Sequence, residues 1–219
     1  MRLLPLPGVF QPPSDSYMLA QQLRQERLGP GVSVLDLGTG SGHLAIVAAL
    51  AGASAVAVDI SRRAVLSARL NAFVNGVQVT ALRGDLFAPL GGRRFDVIVS
   101  NPPYLPHPDA VLPARGLARA VDAGPSGRVF LDRICAQVGR HLNPGGVVLL
   151  VHSSVCGERE TIDALSAQGL DSSIVFRHRG PLGPRLAARA DWLRARGSLL
   201  PGDQEDVIIF RAIGSSAAG

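Results

Sequence analysis

The run Asn101-Pro102-Pro103-Tyr104 carries the most specific chemistry in this 219-residue chain. Each proline fixes its own backbone and restricts the residue before it, so the asparagine amide and the flanking carbonyls are held rigidly at a strand end. The Asn101 side-chain oxygen and the Pro102 backbone oxygen can then accept the two hydrogens of a planar –NH2 group, and Tyr104 can stack on its plane. The nitrogen of an amide or aromatic amine is a poor nucleophile because its lone pair is delocalised. Accepting both N–H bonds would point that nitrogen at an in-line methyl group and favour the positive charge that develops before the proton leaves, with no strong general base. The competing reading is an ordinary Asn-Pro-Pro turn with a partly buried tyrosine.

A second constellation is VLDLGTGSG, Val34 to Gly42. Val34, Leu35 and Leu37 read as a short buried strand, Gly38, Gly40 and Gly42 punctuate the turn, and HLAIVAAL continues as an apolar helix. The glycines leave no side chain between loop and ligand, and the helix start offers unpaired N–H groups, although a tight strand-to-helix turn needs glycine for steric reasons alone. Asp59, at the end of the next strand, can accept from both ribose hydroxyls of an adenosine, or can cap the following helix. Asp36 is costly to bury unless hydrogen-bonded or paired with a cation, so it caps loop N–H groups or organises the amino acid end of a cationic cofactor. Asp85 can accept from an adenine amino group while Leu86 and Phe87 pack beside the ring, or it is a turn aspartate beside a core phenylalanine. Carboxylates at three successive strand ends suit a sulfonium-bearing adenosyl cofactor better than a pyrophosphate one. A phosphate-binding lysine is also lacking.

The elements that must position these groups alternate. Met1 to Pro13 reads as extended, and Ser14 or Asp15 caps a helix through SYMLAQQLRQERL with Tyr17, Leu19 and Leu23 among its apolar contacts. After the glycine-loop helix come a strand ending at Asp59, a helix with Ala64, Val65, Ala68 and Leu70 inward, a third strand near Val77 to Leu82, and FDVIVS from Phe95 to Ser100. The pattern predicts a mostly parallel sheet covered on both faces, with ligands beyond the strand carboxyl ends. The proline- and glycine-rich segment after Tyr104 reads as an active-site loop or lid. A helix of about sixteen residues, SGRVFLDRICAQVGRHL, follows it. GVVLLVHSS is a fifth strand and ERETIDALSAQG a short helix. Strands over Ser172 to Arg177 and Asp206 to Arg211 are expected to be antiparallel neighbours. The expected division is a covering segment over 1–30, a main domain over 31–212 with an inserted arm at about 179–203, and a frayed tail over 213–219.

Composition narrows the classes. The apolar content of 47% supports a real core, and the net charge of +5 would suit an RNA or acidic partner. All 22 basic residues are arginine, with no compact run interleaved with aromatics, so the charge is permissive only. Cys135 and Cys156 lack ligand spacing and read as core thiols of a reducing compartment. His43, His107, His141, His152 and His178 show no metal spacing, and Ser153, Ser154 and Cys156 no nucleophile context, so no metal is assigned and hydrolase chemistry is unsupported. Prolines interrupt the amino terminus before a signal-like segment forms, and a cytoplasmic protein is expected.

VLDLGTGSG, the acidic end of AVDIS, GDLF and NPPY, in that order, resemble the class I S-adenosylmethionine-dependent methyltransferases, in particular the release-factor glutamine methyltransferases and relatives that methylate adenine N6. The resemblance runs from about Val9 to Arg211. VFQPPSDSYML and VDAGPSGRVFLDRI are similar to segments of the compact eukaryotic and archaeal branch. It implies an α/β Rossmann-like fold with a mostly parallel seven-stranded sheet, helices on both faces and an antiparallel final strand. It places S-adenosylmethionine against Asp36, Gly38, Thr39, Gly40, Gly42, Asp59, Ile60, Asp85, Leu86 and Asn101, and the acceptor –NH2 against Asn101, Pro102 and Tyr104. The implied reaction is N5-methylation of the glutamine in a GGQ motif of a class 1 release factor, with a small activator subunit as a further partner. N6-methylation of adenine in RNA or DNA, a small-molecule amine acceptor, or an idle binding subunit are the alternatives. The arginine-rich stretch from Arg179 to Gly197 departs from the compact pattern and could redirect recognition.

Overall fold

Seven strands form one sheet in the order β3-β2-β1-β4-β5-β7-β6 in the computed structural model, which describes residues 1–12, 14–113, 116–199 and 201–214. The strands are β1 (Ser33–Leu37), β2 (Ser54–Asp59), β3 (Val79–Arg83), β4 (Phe95–Ser100), β5 (Leu142–Ser153), β6 (Leu170–Pro181) and β7 (Gln204–Gly214). The first five pair in parallel, and β7 runs antiparallel between β5 and β6. The expected fold class and the antiparallel last pair are therefore found. Chain order reverses between β1 and β4, so the crevice beyond their paired ends is the topological switch point. Leu37 lies opposite Ser100 there. Gly38 and Asn101, one residue further along each strand, consequently leave the sheet side by side.

Alternation along the strands builds two cores. Val34, Ala55, Ala57, Val97, Val99 and Leu149 face α1 (Ser14–Leu23), α2 (His43–Leu50) and α3 (Arg62–Val74). Leu35, Leu37, Val56, Val58, Ile98 and Leu150 face α4 (Val129–Val138) and α5 (Glu158–Ser166). Two further short helices, α6 (Pro184–Ala187) and α7 (Ala190–Ala195), bury Leu186 and Leu193 in this second core. The stretch read as an arm is thus packed into the body of the molecule. β7 runs on through Gly214, while Leu200 of the arm and Ser215 to Gly219 of the tail lie outside the described residues.

Several local expectations are corrected. α1 begins at Ser14 and ends at Leu23, beyond which Glu26 makes a two-pronged ion pair with Arg211 of β7 (2.7 and 3.1 Å). Asp15 and Ser16 are buried inside its first turn, so Asp15 is not an exposed cap, whereas Tyr17 is half-exposed and packs on the His43 ring. In α3, Leu70 faces solvent and Asn71 takes the inward position, where its side chain bonds Leu4 N–H and Ser41 C=O. The third strand starts at Val79 rather than Val77, and α4 has 10 residues followed by a 3₁₀ turn over Gly139–His141.

Gly42 shows how tightly the first layer is packed. Its φ is +88°, and a Cβ there would sit 2.8 Å from Ala68 Cα on α3. Gly38 has a comparable φ of +70° but open space where a Cβ would go. Gly42→Ala should therefore lose about 3 kcal/mol, combining backbone strain with overpacking. Gly38→Ala should lose only about 1 kcal/mol. Urea denaturation of both variants checks this, and equal losses would show that α3 does not press on the loop.

Candidate functional site

The glycine loop is drawn onto β2 by its own backbone. Gly38 N–H and Thr39 N–H both donate to Val58 C=O (2.9 and 3.1 Å), and Gly40 N–H donates to Asp59 Oδ2 at 3.0 Å. Asp59 Oδ1 accepts from Ser61 N–H at 2.8 Å, while Ser61 caps α3 by accepting from Ala64 N–H. Asp59 thus ties the loop to the start of α3, with one acceptor direction left on each oxygen. Burial, first among its causes, raises its pKa against these donors and a nearby Arg119.

Asp36 supplies a cap that Gly42, lacking a side chain, cannot. From β1 its Oδ2 accepts from Thr39 Oγ1 (2.5 Å) and from Ala45 N–H in the first turn of α2 (3.0 Å). A carboxylate at that end also favours the helix dipole. Its other oxygen, Oδ1, is buried with no hydrogen-bond partner among the described residues, and burial pushes the Asp36 pKa up to about 7. An orphaned buried oxygen of this kind asks for a donor or a cation. Beside it Gly38 is exposed with empty space over its Cα. These features fit the cationic adenosyl cofactor that the sequence suggests.

At the end of β3, Asp85 pairs with Arg133 of α4 at 2.7 Å, both side chains being half-exposed. Leu86 follows with φ at +49°, a strained conformation for a leucine. Phe87 does not border this space: it is buried in the core and stacked on His141 at 4.6 Å, as the core-phenylalanine alternative required. The chain after Tyr104 folds back through Leu105 N–H to Val121 C=O and Ala123 N–H to Leu105 C=O (2.8 and 2.9 Å). Leu112, Pro113 and Arg119 of that loop roof a pocket floored by Asp85, Phe130 and Arg133. Ala114 and Arg115 of the same loop lie outside the described residues.

Asn101 is half-buried at the end of β4, and Pro102 is fully buried. The Asn101 Nδ2 donates to Ser16 Oγ at 2.8 Å, and the Tyr104 hydroxyl donates to Asp15 Oδ2 at 2.5 Å. Tyr104 is therefore pinned by its hydroxyl as well as offering its ring, and burial raises its pKa well above the usual phenol value. Asp15 and Ser16 are the site residues that sequence reasoning missed. The available signal was a pair of polar residues in one helical turn where a cap needs only one. Ile60 is exposed just past Asp59.

Near the glycine loop, the Phe10 carbonyl lies 3.4 Å from where a Cβ on Gly40 would be. His43, at the start of α2, is buried with its Nδ1 unpartnered, and burial pushes its pKa down to about 4. On the far side, Arg189 donates to Pro106 C=O (2.6 Å) and pairs with buried Asp122 (2.8 Å). Arg179 pairs with Asp206, and Arg194 with Asp191 and Asp203. These arginines are engaged within the chain.

The family model of the methyltransferase small domain matches residues 1–114. A Methanocaldococcus jannaschii protein provisionally named a protein N5-glutamine methyltransferase is 38% identical over 185 residues, covering 84% of this chain and 92% of that one. A release factor glutamine methyltransferase of Geobacter sulfurreducens is 38% identical over 163 residues, covering 71% of this chain but only 56% of its own length. Among solved structures, a chain from the E. cuniculi Mtq2–Trm112 complex, described as methylating the eRF1 termination factor, superposes with a TM-score of 0.63 at 23% identity. It covers 95% of this chain and 99% of that chain.

The Asp36 geometry fixes a sign for pH dependence. A carboxyl raised from 3.8 to about 7 on folding contributes stability that is complete below the unfolded value and is lost as pH rises through about 7. Between pH 5.5 and 8 the ligand-free protein should lose on the order of 2 kcal/mol from this group. Urea midpoints of the wild type and Asp36→Asn at both pH values check it. The variant should show the smaller drop, and parallel slopes would remove Asp36 as the cause.

Proposed function

This chain belongs to the methyltransferase small domain family and is a class I S-adenosylmethionine-dependent methyltransferase, and on that premise we propose that its acceptor is the side-chain amide nitrogen of a protein glutamine. The proposed substrate is a class 1 release factor, methylated at the glutamine of its GGQ motif. The observation that carries the reading is the pairing of Leu37 with Ser100, one residue before Gly38 and Asn101, which supports a cofactor loop and an acceptor run leaving the sheet together. The names of the archaeal and bacterial relatives, one matched over 92% of its length, support an amide acceptor.

The cofactor supplies an electrophilic methyl group carried on a sulfonium. In the proposed site the Asp36 Oδ1 receives its cationic amino acid end, which would draw the Asp36 pKa back down. Gly38, Thr39 and Gly40 leave room for close backbone approach, while Gly42 serves by letting α3 approach the loop. Asp59 offers its remaining acceptor directions to the ribose hydroxyls, and Asp85 its free oxygen to the adenine amino group, with Ile60 and Leu86 alongside. The Asn101 Oδ1 and Pro102 C=O accept the two N–H bonds of the glutamine amide. Tyr104 walls its plane. Two carbonyl oxygens on one –NH2 group orient the nitrogen and stabilise the positive charge it gains. The proton can then pass to water without a strong base.

The proposal includes a small activator of the Trm112 kind, after the complex in which the E. cuniculi neighbour was solved, and a cytoplasmic place of action. No helix among the described residues is long and apolar enough to cross a membrane. A nucleic-acid acceptor gains no support from the arm, whose Arg179, Arg189 and Arg194 are ion-paired.

Labelled S-adenosylmethionine should transfer its methyl group to the host release factor and not to its GGQ Gln→Ala variant. Label confined to structured or single-stranded nucleic acid would reject the amide reading. Asn101→Ala should keep cofactor affinity within about threefold in calorimetry while lowering turnover by roughly a hundredfold. Unchanged turnover would remove the carbonyl pair from the mechanism.

A further inference from the structure

An asparagine amide can face either way, and only one way suits the acceptor proposed above. With Oδ1 turned outward, Asn101 and Pro102 present two acceptors to an incoming –NH2 group. With the amide reversed, a donor meets a donor, and the same pocket would suit a carboxylate. Some neighbour must decide between the two, because β4 fixes the Asn101 backbone and not the far end of its side chain.

We propose that the first turn of α1 makes that choice, with Ser16 and Asp15 acting as positioning residues that hold the Asn101 amide carbonyl-outward and make the site select an amide over a carboxylate. The inference rests on the amide-acceptor reading. Ser16 Oγ lies 2.8 Å from Asn101 Nδ2, and Ser16 is 6% exposed, so solvent reaches the serine side of the bond poorly. A hydroxyl alone does not set the direction, since it can donate as well as accept. Asp15 supplies the sign. Its carboxylate, 5% exposed, accepts from Ser16 N–H at 2.7 Å and from the Tyr104 hydroxyl, so it flanks both the hydroxyl that meets Asn101 and the ring of Tyr104. A carboxylate beside Ser16 favours a donor over an acceptor, so the –NH2 face of Asn101 turns toward α1, where Ser16 Oγ takes it at 2.8 Å, and its oxygen turns toward the acceptor. One helical turn thereby governs both side chains of the NPPY run.

α1 is itself fixed against the body of the protein. Leu19, Ala20 and Leu23 are fully buried beneath it, and Glu26 just beyond its end holds Arg211 of β7. The hydroxyl and carboxylate are therefore presented from a rigid element, as positioning of a reactive group requires.

Two measurements test the inference independently of each other. In nitrogen-15 NMR of the ligand-free protein, the Asn101 side-chain –NH2, assigned by its absence in Asn101→Ala, should exchange slowly with water. Exchange should accelerate at least about tenfold in Ser16→Ala and return toward the wild-type rate in Ser16→Thr, which restores the hydroxyl. Fast exchange in the wild type would overturn the inference whatever the substrate proves to be.

In turnover, Ser16→Ala should lower kcat roughly tenfold to a hundredfold with the KM for S-adenosylmethionine unchanged, and Ser16→Thr should recover most of it. A release factor carrying Glu in place of the GGQ glutamine should compete at least about a hundredfold more weakly than the native factor binds, because a site built for N–H donors rejects an analogue lacking them. That gap should narrow at least about tenfold in Ser16→Ala. An unchanged kcat or an unchanged gap would overturn the inference. If no release factor is labelled by the wild type, the amide reading fails, and the exchange measurement still decides whether α1 orients Asn101.

Discussion

The parallel pairing of β1 with β4 is the constraint on which the site depends. It is pinned at both ends by side chains that bridge the two strands. At one end Asp96 accepts from Ser33 N–H and Oγ (2.8 and 2.7 Å), and at the other Ser100 Oγ donates to Leu37 C=O at 2.8 Å. A register slip of one residue would turn Leu35 and Leu37 out of one core and Asp36 out from under α2. It would also separate Gly38 from Asn101. Two clamped strands thus bring together the glycine loop and the Asn-Pro-Pro-Tyr run, proposed to hold cofactor and acceptor, which lie some 60 residues apart in sequence.

Around this pairing the protein accepts local costs that a purely structural strand end would avoid. Asp15, Asp36 and Asp59 all have pKa values raised chiefly by burial, which means the folded state holds each charge less comfortably than water does. Leu86 adds backbone strain, and the Asp36 Oδ1 is a buried acceptor without a donor among the described residues. A cation set against the Asp36 Oδ1 would relieve its burial penalty, so a cost borne without ligand becomes differential affinity for a positively charged one.

How much of this was legible in the sequence follows from the range of the interactions. The strands and the loop could be read because alternating apolar residues and Gly or Pro punctuation are local signals. β4 was placed from Phe95 to Ser100, as found. Asp15 reads in the sequence as helix-end chemistry and Ser16 as an ordinary helix residue, because their partners, Tyr104 and Asn101, lie 89 and 85 residues away. Counting arginines likewise does not distinguish a surface for partners from Arg189 turned inward onto Asp122 and the Pro106 carbonyl. In α3, composition alone did not fix the helical phase that turns Asn71 inward and Leu70 outward.

The arm's inward turn bears on how a site without a strong base can work. A weakly nucleophilic nitrogen gains its advantage from orientation, which is lost if the groups that orient it move. The backbone after Asn101 is held from several directions. Cys156 Sγ donates to Tyr104 C=O at 2.9 Å, Arg189 holds Pro106 C=O, and Gly127 lies so close that a Cβ there would be 2.5 Å from the Tyr104 oxygen. Arg128 in turn fixes the Cys156 and Gly157 carbonyls at 2.8 and 2.9 Å. α1 holds the side chains of Asn101 and Tyr104 from the opposite side of the sheet's end. The entropy of ordering the Asn101–Tyr104 segment is thereby met when the chain folds, so an amide bound there as proposed would leave binding energy available for its alignment.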